Sequence, residues 1–147
     1  MLIDKDRIRQ LVPHAGAMCL IDAVVAWDGA DIACLSDGHR DPRHPLARDG
    51  RLAAVHAFEY GAQAAAIHAG LVAGAAGRAP AMAWLGALRE ATLGCDRLDA
   101  VPVPLAVAAT LLLHEAGSAI YRCRVTAAGM MLAEGRITLI QRGAPPR

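Results

Sequence analysis

The chain has 147 residues, 55% hydrophobic and 20% charged, with a formal net charge of +1. That length supports one domain, here residues 1–147, with a core needing no disulfide or metal staple. Balanced charge and 3% aromatic content exclude a disordered chain and argue against nucleic-acid binding through phosphate neutralisation or base stacking. Cys19, Cys34, Cys95 and Cys123 form no C-x-x-C pair and read as reduced core residues, which suits a cytoplasmic setting. The charged start of the chain does not resemble a signal peptide, and the Ala/Gly-rich stretch 61–77, holding Gln63 and His68, is weak as a membrane span. Arginine outnumbers lysine fourteen to one, which with the alanine excess reflects codon composition rather than function.

Residues 4–11 form a short amphipathic helix with Asp4 as N-cap and Pro13 enforcing the stop. Residues 19–27 are apolar and β-branched enough for a strand. Asp28-Gly29 marks a turn, and residues 31–35 return as a second strand. Residues 36–50 are the one long stretch rich in Pro, Gly and charge, and loops of that length inside compact domains are often functional. A long helix runs from 52 to about 74 and is closed by 74–80. Beyond it the pattern changes to period two, giving strands at 81–93, 105–114, 119–127 and 131–141. Tyr121, Cys123 and Val125 alternate with Arg122 and Arg124. Ala133, Gly135, Ile137 and Leu139 alternate with Glu134, Arg136 and Thr138. Gly129 sets a tight turn, and the tail from about 143 is loose. One helix without a second covering layer implies an antiparallel sheet wrapped around it, an α+β arrangement. Such a sheet leaves edges, and pairing with a second chain is a common remedy.

The chemistry concentrates in the long helix and the loop before it. Val55 to His68 is mostly Ala, Gly and Ile, yet it carries Glu59, with Gln63 one turn later on the same face. A carboxylate on an apolar helix is costly to bury without a partner or a task. Gln63 either orients Glu59 or fills space as a satisfied amide. The loop supplies two histidines, His39 and His44, and a histidine loop followed by a helix acid suggests acid–base chemistry. A metal site from His39, His44 and Glu59 matches no standard ligand spacing, so no metal is expected. His14 reads as structural, His56 and His68 as locally packed or bonded, and His114 as exposed.

Leu11-Val12-Pro13-His14, then Leu20-Ile21-Asp22, then a Gly-His loop and Glu59-x-x-x-Gln63 resemble the hot-dog-fold 3-hydroxyacyl-[acyl-carrier-protein] dehydratases. The motif match spans residues 11–69, and strand order extends it to 141. The chain is more closely similar to a subgroup found in aryl-polyene gene clusters. That subgroup shows counterparts of His39-Arg40-Asp41-Pro42, Pro45-Leu46, Asp49-Gly50-Arg51-Leu52, Glu59-Tyr60, Ala62-Gln63 and Leu132-Ala133-Glu134-Gly135-Arg136.

The resemblance implies a hot-dog fold, with one long central helix wrapped by an antiparallel sheet. It also implies dehydration of a 3-hydroxyacyl thioester to the trans-2-enoyl thioester, in fatty-acid-like or aryl-polyene synthesis. A loop histidine takes the C2 proton, and a helix carboxylic acid, a form that apolar surroundings favour, helps the 3-hydroxyl leave as water. On this analogy His39 is the base, Glu59 the acid and Gln63 the orienter. The backbone at Val55, His56, Ala57 and Phe58 faces the thioester carbonyl, and Pro45 and Leu46 contact substrate. The standard dehydratases continue their Gly-His with Phe-Pro-Gly and have a shorter run to the acid. Here Arg-Asp-Pro follows, and His39 and His44 precede Glu59 by 20 and 15 residues. Members of the subgroup more often carry Asn at the position of His44, so His39 is preferred over His44.

Arg40, Arg43, Arg48 and Arg51 are either a solvated surface or a dock for an acidic acyl carrier protein. No cofactor is implied, because the phosphopantetheine belongs to the substrate. The family analogy draws the two catalytic side chains from opposite subunits of a homodimer or of a heterodimer with another hot-dog protein. Two rivals use the same residues: a hot-dog thioesterase in which Glu59 activates water, and a catalytically degenerate partner of an active dehydratase.

Overall fold

The computed structural model describes residues 3–12, 18–78 and 83–141. His14, Pro13 and the tail from 143 lie outside these residues. The elements are α1 (Lys5–Leu11), β1 (Ala23–Trp27), β2 (Asp31–Ser36), α2 (Ala57–Ala75), β3 (Ala83–Leu93), β4 (Leu105–Glu115), β5 (Ser118–Ala127) and β6 (Met130–Gln141). The six strands form one antiparallel sheet in the order β1-β2-β4-β5-β6-β3.

This sheet curls around α2, which packs against β2 to β6 and against α1. Small side chains make the wrap possible. Alanines and glycines of α2 are buried on several sides, among them Ala57, Gly61, Ala64, Ala65 and Gly70. Gly61 sets the closest approach: a Cβ there would lie 2.7 Å from the Cys123 sulfur on β5. The period-two expectation for β5 and β6 holds, with Tyr121, Cys123, Val125, Ile137 and Leu139 buried and Arg122 and Arg124 exposed. Three of the cysteines are buried, and burial pushes the Cys34 thiol up to about 12 and Cys123 up to about 11.

Helix α1 starts where its sequence dictates, with the Asp4 carboxylate accepting from Arg7 N–H at 3.1 Å. Two other boundaries move. Residues 19–22 stay outside β1, because Leu20 directs its backbone groups to side chains: its N–H donates to Gln63 Oε1 and its carbonyl accepts from Ser36 Oγ. The long helix begins at Ala57, after a 3-10 turn over Ala54–His56, rather than at 52. Upstream, the backbone is drawn to the connection between β3 and β4. Leu98 N–H donates to Leu52 O at 2.8 Å and Ala54 N–H to Asp96 O at 2.9 Å. No helix among the described residues is long and apolar enough to cross a membrane.

Candidate active site

The loop between β2 and α2 is built from successive turns. Asp41 N–H donates to Gly38 O, His44 N–H to Asp41 O at 2.9 Å, and Ala47 N–H to His44 O at 2.9 Å. Its entry is pinned by Asp22, which accepts from Asp37 N–H at 2.7 Å and pairs with Lys5 at 2.8 Å. Internal bonding makes this loop a fixed platform, so the orientation of its histidines is defined.

His44 is buried between Leu46 N–H, which donates to Nδ1 at 3.1 Å, and the Tyr60 hydroxyl, 2.9 Å from Nε2. A ring nitrogen that accepts from a backbone amide carries no proton, so the hydrogen of the neutral ring sits on Nε2 and points to Tyr60. Burial holds the His44 pKa below its ordinary value. Charge on His56 and His39 adds to this, and Asp41 opposes it. Burial also raises Tyr60 well above its usual range, with Asp22 contributing and a hydrogen bond to Ser36 opposing. The Tyr60 hydroxyl thus receives from His44, and the Ser36 hydroxyl donates to Leu20 O at 2.5 Å.

The adjoining network continues from Leu20. Its N–H donates to Gln63 Oε1 at 2.8 Å, and Gln63 Nε2 donates to Met18 O at 2.8 Å and to Glu59 Oε1 at 3.1 Å. The Gln63 amide is thus fully used, and one of its bonds reaches Glu59. Glu59 itself is half-buried in the first turn of α2.

His39 occupies the 3-10 turn Gly38–Arg40 and is fully buried. Its Nε2 lies 3.0 Å from Val101 O in the β3–β4 connection. A carbonyl only accepts, so the ring hydrogen is on Nε2. Nδ1 then carries the lone pair, and it has no hydrogen-bond partner among the described residues. Of the two loop histidines, His39 alone has a ring nitrogen without a hydrogen-bond partner among the described residues, and that nitrogen is enclosed by the chain.

The other expected residues divide. Pro45, Leu46, Arg48, Arg51 and His56 share one open cleft of about 940 Å³. Arg40 and Arg43 lie apart from its lining and are paired with Asp37 at 2.9 Å and Asp41 at 3.6 Å. Val55 is exposed, whereas Ala57 and Phe58 are core residues, the Phe58 ring lying where a Cβ on Gly135 would meet it at 3.1 Å. His56 N–H and the Ala57 N–H donate to Ala53 O and Ala54 O, so those two donors are already engaged.

Sequence reasoning missed Tyr60, Ser36, Val101 and the Arg97–Asp99 pair. The chain's two tyrosines were the available signal, since each meets a histidine: Tyr60 with His44, and Tyr121 with His68 at 2.7 Å. His68 also donates to Asp28 O at 2.8 Å, so its bonds reach across the fold rather than staying local. Asp99 accepts from Leu52 N–H at 2.8 Å and from Arg97, which hold its carboxyl well below the usual range. His114 is exposed. The described residues contain no group of three His, Cys, Asp or Glu side chains arranged to hold a metal ion.

A long Ala-rich helix wrapped by a six-stranded antiparallel sheet, with a histidine loop abutting the helix start, defines a hot-dog protein with titratable side chains at that end of the helix. The ApeP-like family, described as ApeP dehydratase, matches residues 6–145, and the chain belongs to that dehydratase family. Solved structures show the same fold. A chain of the dehydratase heterocomplex ApeI:P from Xenorhabdus doucetiae superposes with a TM-score of 0.82 at 22% identity, covering 95% of this chain and 91% of that one. AziG from S. sahachiroi gives 0.60 at 15% identity, covering 84% and 91%. A hypothetical thioesterase with coenzyme A from Streptococcus pneumoniae gives 0.57 at 8% identity, covering 84% and 88%. No curated protein matches the sequence.

Proposed function

We propose that this chain dehydrates a 3-hydroxyacyl thioester, carried on an acyl carrier protein, to the trans-2-enoyl thioester. The observation that carries the reading is His39, with Nε2–H fixed on Val101 O and a lone pair left on Nδ1. That tautomer suits a general base for the C2 proton. Glu59, held by Gln63, delivers a proton to the departing 3-hydroxyl, which leaves as water. The C2–H electrons form the C2–C3 double bond as the C3–O bond breaks, so the reaction balances without an oxidant or a cofactor. His44 is a positioning residue, because both of its ring nitrogens are engaged.

A partner chain belongs to this reading. Strand β3 is a free edge of 11 residues with Leu88 and Leu93 exposed, a surface that a second hot-dog chain would cover. The superposing ApeI:P structure is a heterocomplex, which favours a second hot-dog protein as the partner.

One observation supports the rival reading of a catalytically silent partner subunit: His39 is 0% exposed, enclosed by its own chain. The test is the intact mass of a 3-hydroxyacyl carrier protein after incubation with the purified full chain, alone and with its hot-dog partner. Loss of one water with the acyl group retained supports the dehydratase. Loss of the whole acyl group indicates a thioesterase. Conversion only with the partner, and insensitive to His39→Ala, assigns the silent role.

A further inference from the structure

Residues 48–51 form a two-residue hairpin. Arg48 N–H donates to Arg51 O at 2.8 Å, and Arg51 N–H donates back to Arg48 O at 3.0 Å. Asp49 and Gly50 take φ of 53° and 73°, the left-handed pair that a tight hairpin turn of this kind requires. Residues so paired project from the same face, with Cα atoms about 5.5 Å apart. The turn therefore sends two arginine side chains out from neighbouring positions on one face.

Like charges directly opposite each other destabilise such a pair. The loop's Arg40 and Arg43 pair with Asp37 and Asp41, and Arg97 of the β3–β4 connection pairs with Asp99. Among the described residues, Arg48 and Arg51 have no ion-pair or side-chain hydrogen-bond partner. Both line the cleft of about 940 Å³ that runs past Leu46 to His56, three residues before Glu59. Two of its lining residues, Asp49 and Asp96, are carboxylates.

We propose that Arg48 and Arg51 clamp the phosphate of the carrier arm that bears the thioester. This inference rests on the carrier-bound substrate proposed above. Two adjacent guanidinium forks offer charge-assisted donors to separate phosphate oxygens. An arm fixed at this turn leads its thioester along the cleft towards the start of α2. Asp49 and Asp96 tolerate a singly charged phosphodiester but oppose a bulkier polyanion, which favours the carrier-linked arm over the nucleotide portion of free coenzyme A.

Isothermal titration calorimetry of the full chain tests this with 4′-phosphopantetheine, pantetheine and 3′,5′-ADP. The proposal expects phosphopantetheine to bind at least about tenfold tighter than pantetheine, as loss of one charge-assisted contact implies. R48Q/R51Q removes that difference, and each single variant removes part of it. R78Q is the control. Arg78 lies beyond the far end of the 19-residue α2, roughly 28 Å along its axis from the cleft. Equal affinity for phosphopantetheine and pantetheine overturns the proposal, as does retention of the preference in R48Q/R51Q. Binding of 3′,5′-ADP as tight as phosphopantetheine assigns the cleft to a nucleotide and also overturns it. The readout needs no turnover, so failure of the dehydratase reading leaves it interpretable.

Discussion

His44 donates its Nε2–H to the Tyr60 hydroxyl at 2.9 Å, while its Nδ1 receives Leu46 N–H. The bond joins the histidine loop to the helix residue next to Glu59. Beside it Ser36 donates to Leu20 O, and Leu20 N–H donates to Gln63, whose amide reaches Glu59. Loop and helix carboxylate are thus each tied into hydrogen bonds near the start of α2.

Tyr60→Phe breaks the bond to His44 while keeping the ring. His44 Nε2–H loses its buried acceptor. The expected cost is about 1–3 kcal/mol, read as a lower midpoint in urea unfolding with an unchanged slope. An unchanged midpoint would show that the hydroxyl adds nothing.

Protonation of His44 carries a defined pH signature. Its folded pKa lies below the ordinary 6.5, chiefly through burial. The unfolded chain therefore takes up this proton more readily as pH falls. The stabilising contribution is full above pH 6.5 and declines as pH drops from there through the folded value. An NMR titration of the His44 ring should give a midpoint below 6.5, with Leu46 N–H shifting in parallel. A midpoint at or above 6.5 would show that burial does not govern this ring.

Gln63→Leu preserves volume but removes three hydrogen bonds, leaving Leu20 N–H and Met18 O unpaired. The expected destabilisation is about 1–3 kcal/mol. Because Glu59 is also released, kcat should fall by more than KM rises, and Gln63→Glu should not restore it, since a carboxylate cannot donate to Glu59 in its ionised form.

Gly61→Ala tests how closely the helix sits in the sheet. The added methyl would lie 2.7 Å from Cys123 Sγ and 2.8 Å from its Cβ. Overpacking of about 1–3 kcal/mol is expected, and Gly61→Ala with Cys123→Ala should recover part of it. Additive effects of the two substitutions would show that α2 shifts freely.

Much of this was legible in the chain. The period-two stretches marked the strands and the run of Ala and Gly marked the central helix, because those signals are local, whereas the sheet order β1-β2-β4-β5-β6-β3 is set by pairings distant in sequence. Asp4 was readable as a cap for the same reason. The start of α2 was not, since Leu52 and Ala54 answer to Asp99, Asp96 and Leu98, more than 40 residues away. Residues 19–22 look like a strand by composition, and only the side chains of Gln63 and Ser36 explain why they are not. Within the site, Glu59, Gln63 and the two histidines stood out by type and spacing. What separates His39 from His44 is which ring nitrogen is engaged, and that depends on Val101 and Tyr60, neither of which a spacing argument marks.

The central claim is that His39 Nδ1, not His44, takes the substrate proton. The most direct measurement is the intact mass of a 3-hydroxyacyl carrier protein incubated with the full chain and its hot-dog partner, comparing wild type with His39→Ala, His44→Ala and Glu59→Ala. The account predicts loss of one water with wild type, none with His39→Ala or Glu59→Ala, and slowed but measurable loss with His44→Ala. Full water loss with His39→Ala, or its abolition by His44→Ala alone, would contradict it.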